Sequence, residues 1–157
     1  MSEELRNALG CFATGVTIVS CRHNEQDLAL TCSSFNAVSL DPALVLWSLQ
    51  SRAGSREAFL NAGGYTVSVL AGDQSSLAMQ FCKGDMQQRF AGQAIERAPS
   101  GRARIPGCVA WFDCSMHQSI EAGDHDILIG QVDNFGCQPG MGLIFERSRF
   151  GTVQSVA

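Results

Sequence analysis

No stretch of this 157-residue chain approaches the roughly 18 consecutive apolar residues of a membrane-spanning helix, so no membrane association is expected. The opening Met1-Ser2-Glu3-Glu4-Leu5-Arg6 carries neither an apolar signal core nor a cleavage site, which makes a cytoplasmic location the expectation. Charge is sparse as well: 17% of residues are charged, 11 Lys and Arg are scattered against 15 Asp and Glu, and the formal net charge is −4. A nucleic-acid backbone requires a clustered basic face, so nucleic acid is not an expected partner. His23, His117 and His125 are not spaced as a ligand set and no Cys-x-x-Cys pair exists, so no metal site is expected. Glycine-rich loops of the Rossmann and P-loop kinds are absent, which takes a nicotinamide nucleotide out of its usual fold.

What is present describes a globule. Apolar residues make up 45% of the chain, and a chain of this size buries about 70% of its unfolded surface, enough for one core. Residues 1–157 are expected to form one domain. Low charge leaves much ordinary surface uncharged, which points to a further buried face such as a subunit interface. The seven cysteines, at positions 11, 21, 32, 82, 108, 114 and 137, are odd in number and widely spaced. They read as reduced thiols packed as small hydrophobes rather than a disulfide framework.

Periodicity places the elements. Leu5, Ala8, Leu9 and Phe12 recur at helical spacing after an acidic start, predicting a short helix over Glu3 to Phe12. Gly15 to Cys21 alternates like a strand, and a polar turn over His23 to Asp27 leads to a second one. Ala43-Leu44-Val45-Leu46-Trp47-Ser48-Leu49 is nearly all apolar, as in a strand buried on both faces. Ser51-Arg52-Ala53-Gly54-Ser55 is expected to open a helix running through about Asn61, closed by Gly63-Gly64, then a strand over Tyr65 to Ala71. Asp73 is positioned to cap a helix running to Gly84, after which Asp85 to Pro106 has no period and is expected to wander over the surface. Cys108 to Glu121 and Ile127 to Phe135 alternate on either side of Gly123-Asp124, the clearest hairpin signal in the chain. Leu143 to Phe145 and Arg149 to Val153 add short strands. Seven or eight strands with two or three helices suit a mainly β fold, a mostly antiparallel barrel with peripheral helices at its rim.

The most telling segment is Leu30-Thr31-Cys32-Ser33-Ser34-Phe35-Asn36-Ala37-Val38-Ser39-Leu40-Asp41-Pro42, which packs hydroxyls and small side chains between two strand-like runs and suits a polar, flat ligand. Three motifs in order, Phe12-Ala13-Thr14-Gly15-Val16-Thr17, this loop ending in Ser-Leu-Asp-Pro, and Gly123-Asp124-His125-Asp126-Ile127, resemble the flavin reductase-like proteins with an FMN-binding split barrel. The resemblance spans about Leu9 to Gly151. It departs at Val67-Ser68-Val69-Leu70, where Val-Asn-Val-Leu is common, and at Cys32-Ser33-Ser34, where Ala-Asn/Ser-Ser/Ala is common.

A flavin needs donors along its pyrimidine edge, an apolar wall, and hydroxyls or a cation for its phosphate. Thr31, Cys32, Ser33, Ser34 and Phe35 can present successive N–H groups and hydroxyls, and Ser48, Ser51 and Ser55 lie near an expected helix N-terminus. Arg56 or Arg89 can add charge. Loop and cap roles alone would also account for the serines and threonines. The resemblance implies that Thr31 to Ser34 lies along the isoalloxazine, that the serines meet the phosphate, and that Arg89-Phe90 matches a basic-aromatic pair found there. It also places His125 near flavin and nicotinamide, in a positioning and electrostatic role, because hydride transfer needs no protein nucleophile. Asp124 reads as a turn-former and Cys32 as packing. The activity implied is NAD(P)H-dependent reduction of FMN, FAD or riboflavin, with reduced flavin supplied to a partner monooxygenase and a homodimer as the assembly. The alternative is a tight FMN-binding electron-transfer or sensor protein without NAD(P)H turnover.

Overall fold

The computed structural model describes residues 2–156. Its elements in chain order are α1 (Glu3–Gly10), β1 (Thr14–Gly15), β2 (Thr17–His23), β3 (Gln26–Cys32), β4 (Asn36–Leu40), β5 (Ala43–Gln50), α2 (Arg56–Asn61), β6 (Gly64–Val69), α3 (Ser75–Gln80), β7 (Glu96–Arg97), β8 (Ala103–Arg104), β9 (Ala110–Ala122), β10 (His125–Cys137), β11 (Leu143–Glu146) and β12 (Arg149–Thr152). A 3-10 turn at Met86–Gln88 follows α3. None of the described helices is long and apolar enough to cross a membrane.

Seven strands form one sheet in the order β3-β2-β6-β9-β10-β5-β4, every neighbouring pair antiparallel. The two edges, β3 and β4, are separated in sequence only by Ser33, Ser34 and Phe35. Laid flat, seven strands would hold their edges about 29 Å apart, six spacings of about 4.8 Å. The steps from Cys32 to Asn36 span at most about 14 Å. The sheet must therefore curl until its edges nearly meet, which makes it a mostly antiparallel split barrel with its slit at the 32–36 connection.

One apolar cluster fills the barrel. Trp47, fully buried, meets Phe59 edge-on at 5.0 Å and Tyr65 at 5.8 Å, and truncating such a ring to Ala would cost about 3–5 kcal/mol. The Tyr65 hydroxyl donates to the Leu128 carbonyl at 3.1 Å. Gly130 lets it approach, because a Cβ there would lie 2.5 Å from the Tyr65 oxygen. A second cluster, including Ile18, Leu70, Ala78, Phe81 and Leu143, packs α3 and the small β1-β11-β12 sheet against the barrel.

Several expectations are corrected. Asn36–Leu40, read as part of a loop, is an edge strand against β5. In β5 itself Val45, Trp47 and Leu49 are buried while Leu44, Leu46 and Ser48 are only half-buried, so one face, not both, enters the core. Helix α1 stops at Gly10, capped by the Ser2 hydroxyl accepting from Leu5 N–H at 3.2 Å. Its stripe, Leu5 and Leu9 with Phe12 beyond, lies exposed rather than against the barrel. Asp73 does not cap α3. Gln74 occupies the cap position, and its side chain ties Ala71 N–H to the Pro106 carbonyl at 2.9 Å each.

The 85–106 excursion is fastened electrostatically, which apolar periodicity does not record. Arg97 grips Asp27 with two bonds of 2.7 Å. Buried Asp113 accepts from the Thr66 hydroxyl at 3.0 Å, the Ser100 N–H and hydroxyl at 2.9 and 2.7 Å, and the Arg102 guanidinium at 3.1 Å.

Candidate active site

The slit of the barrel opens into a cleft of about 450 Å³ at the seam between the two apolar clusters, lined by Leu49 of the first and Phe81 of the second. That volume falls in the range of about 300–1,000 Å³ usual for small-molecule sites. Of the residues expected at a site, Thr31, Cys32, Ser33, Ser34, Ser48, Ser55, Arg89 and His125 line this one cleft. They come from β3 and its exit, β5, the start of α2, the excursion and the tip of the β9–β10 hairpin.

The first wall is already spoken for. Thr31 donates its hydroxyl to the Ala78 carbonyl at 2.6 Å and its N–H to Phe81 at 3.2 Å, fixing β3 to α3. The Ser34 hydroxyl oxygen accepts from Ser48 N–H at 2.9 Å, bridging the slit to β5. Cys32 Sγ lies 3.1 Å from the Thr17 hydroxyl. Burial pushes its thiol above the ordinary range, only partly offset by that hydroxyl, so Cys32 is a packed thiol rather than an activated one.

Two other lining residues hold unspent capacity. Ser55 Oγ and Arg89 Nε are buried without a hydrogen-bond partner in the protein. Arg89 spends one nitrogen on the Ala29 carbonyl at 3.0 Å. Burial pulls its guanidinium below the usual value, yet arginine stays cationic at neutral pH. Among the described residues it is the one Lys or Arg that lines the cleft. Ser55 precedes α2 but makes no side-chain cap bond.

At the third side, the Gly123-Asp124 turn joins β9 to β10, with Gly123 at φ 65°, the left-handed region that glycine favours. His125 Nδ1 lies 2.7 Å from the Asp124 carboxylate. Its hydrogen bond with His125 is the main cause that holds the Asp124 carboxyl below the usual carboxylate range. Asp124 thus orients the imidazole as well as forming the turn.

Three expected residues do not line the cleft. Phe35 stacks on Phe112 with centroids 5.4 Å apart. Phe90 packs edge-on against Phe81 at 5.0 Å, in the second cluster. Ser51 uses its N–H on the Asp124 carbonyl at 2.9 Å. Arg56 turns from the cleft to Asp126, with Nε 2.6 Å and Nη2 2.8 Å from its two oxygens. Gln50, Ala53, Gly54, Cys82 and Met86 complete the lining without having been singled out. Gln50 follows from its register opposite His125, whereas Cys82 and Met86 lie beyond any periodic signal.

The donor set fits a flavin. A hydroxyl and a guanidinium with free hydrogen-bonding capacity suit an anionic phosphate or ring carbonyls, and Leu49 and Phe81 supply apolar wall.

Comparison with known proteins follows this geometry. The chain is 38% identical over 150 residues to the reductase component of the flavin-dependent trigonelline monooxygenase of Acinetobacter baylyi, covering 95% of this chain and 48% of that one. It spans about half the length of that relative. It is 37% identical to FMN reductase (NADH) SmoA of Agrobacterium fabrum, covering 96% of this chain and 85% of that one. Among solved structures, NADH:FAD oxidoreductase SgcE6 of Streptomyces globisporus C-1027, in complex with NAD and FAD fragments, superposes with a TM-score of 0.90 at 31% identity over 96% of this chain and 92% of that one. The family described as "Flavin reductase like domain" matches residues 9–154. Fold, cleft and sequence agree, and the chain belongs to the flavin reductase-like family.

Proposed function

We propose that residues 1–157 work as one domain that uses NADH or NADPH to reduce FMN, FAD or riboflavin and passes reduced flavin to a partner monooxygenase. The carrying observation is that Ser55 and Arg89, each with a buried polar atom the protein leaves unsatisfied, line the same cleft as His125. Buried polar groups without partners cost about 1–3 kcal/mol each, so a ligand that satisfies them binds at their expense. When bound, the flavin supplies the hydride-accepting chemistry.

The protein's own part is binding and orientation. Arg89 and Ser55 hold the anionic or carbonyl-bearing parts, while Thr31 and Ser34 keep the β3 exit rigid at the slit. His125, held by Asp124, lines the cleft as a positioned imidazole for the nicotinamide nucleotide. Two substrates fixed in one partly dry cleft gain most of the rate available to a reaction that needs no protein nucleophile.

Two further parts of the reading have their own support. Homodimerisation is supported by exposed Leu5, Leu9, Phe12 and Leu40 and by the half-buried outer face of β5, apolar surface that nothing in one chain covers. A cytoplasmic location is supported by seven cysteines that are all unpaired.

Oxidation of NADH and NADPH by the purified protein, with free FMN, FAD or riboflavin and a protein-free control, tests the reaction. Flavin-dependent turnover is the expected result. FMN binding with no turnover for any pair would instead leave the electron-transfer or sensor alternative.

A further inference from the structure

Arg56 and Asp126 are 70 residues apart in sequence and join the start of α2 to β10. Asp126 is 1% exposed, and both its oxygens are held by Arg56, at 2.6 and 2.8 Å; Arg56 also donates to Glu121 at 3.4 Å. A forked, two-bond grip fixes orientation as well as distance. Arg56 is the first residue of α2 and follows Ser55 directly. Asp126 follows His125 directly, and neighbours on a strand face opposite sides. Pinning Asp126 inward therefore sets the peptide that sends His125 toward the cleft. The Ser51 N–H to Asp124 carbonyl bond, 2.9 Å, closes the same joint from the other end of the loop.

We infer that the Arg56–Asp126 pair is the positioning element that locks the His125 hairpin to the Ser51–Ser55 loop, coupling the nicotinamide side of the cleft to its flavin side. The coupling rests on the reductase reading for its kinetic consequence. Its mechanical consequence does not. Neither side chain needs to touch a ligand, because the effect passes through His125 and Ser55.

The test compares Asp126→Asn, Arg56→Met, Arg56→Lys, His125→Asn and the His125→Asn/Asp126→Asn double variant. Steady-state kinetics give kcat/KM for the nicotinamide nucleotide, and amide exchange is followed across 48–56 and 122–128. The pair's loss should lower kcat/KM by about ten- to a hundredfold, the usual scale for a misplaced catalytic environment. Groups that act as a unit are strongly non-additive, so the double variant should be no worse than His125→Asn. Exchange should accelerate in both segments together. Lysine keeps the charge but not the fork, so Arg56→Lys should resemble Arg56→Met.

Multiplying effects in the double variant, unchanged exchange in either segment, or full activity with lysine would each overturn the coupling. Should Asp126→Asn fail to fold, Arg56→Met, at the more exposed end of the pair, carries the same comparison. Absence of turnover in the unaltered protein would sink the reductase reading alone, since the exchange arm still reports on the joint.

Discussion

Two sets of polar groups in the cleft follow opposite principles. Along the β3 exit, Thr31 and Ser34 are chemically rich but spent: one hydroxyl binds Ala78 and the other accepts from Ser48. Elsewhere in the same lining, Ser55 and Arg89 carry buried polar atoms with no partner in the protein. Satisfied groups hold shape, and unsatisfied groups hold ligand. The difference teaches that hydroxyl-rich sequence marks the place of a site without marking which groups do the binding.

The comparison breaks most visibly at Arg89. Replacing it with Met removes a charged donor worth about 1.5–3 kcal/mol. Affinity for FMN should fall about ten- to a hundredfold, read by quenching of flavin fluorescence, and loss of the Ala29 contact should lower stability by about 1 kcal/mol as well. Thr31→Val should touch stability alone. It strands the Ala78 carbonyl and should lower stability by about 1–2 kcal/mol in urea, while FMN affinity at a temperature where the protein is folded changes by less than about threefold. Ser55→Ala sharpens the contrast further. FMN binding should weaken by about 1 kcal/mol, yet the free protein should unfold no earlier, because the hydroxyl makes no bond in its absence.

Smaller effects follow from ionisation and from the thiol. The Arg56 guanidinium, chiefly through its hydrogen bonds, holds the Asp126 carboxyl below the usual range, with His125 adding to the effect and burial opposing it. A carboxyl depressed in the folded state contributes stability that is fully present above its unfolded value, about 3.9, and is lost as pH falls through the depressed folded value. The gap in stability between the unaltered protein and Asp126→Asn should therefore be flat at neutral pH and close only in acid, below the titration of ordinary carboxylates. Glu121 and Asp124 share that surface, with Arg52 acting on Asp124. Salt should change the gap little, since Asp126 itself is buried. Last, Cys32→Ala should leave turnover within about twofold, because a thiol raised by burial takes no part in redox exchange.

Much of this fold was legible because its signals are local. Alternation marked β9 and β10, and Gly123-Asp124 marked the turn that presents His125. Eight of the eleven residues expected at the site, ten suggested flavin contacts and His125, line the one cleft on which these short sequence stretches converge. What remained hidden was mostly long-range. Arg56 and Arg89 looked interchangeable as phosphate cations, and only the pairing with Asp126, 70 residues on, separates them. Edge strand β4 is exposed along most of its length, so it lacks the apolar alternation that reveals a strand. The 85–106 excursion is fixed by Asp27 and Asp113 through arginines and serines, contacts that leave no period. Phe90 shows the converse hazard: beside a true cleft residue in sequence, it belongs to the core.

The most direct test is the ratio of FMN to riboflavin affinity, measured by fluorescence titration for the unaltered protein and for Arg89→Met. If Arg89 and Ser55 bind the anionic end of the flavin, FMN should bind about tenfold or more tightly than riboflavin, the scale of one charge-assisted contact. That preference should collapse toward parity in Arg89→Met. Equal affinities in the unaltered protein, or a preference that survives the loss of Arg89, would contradict it.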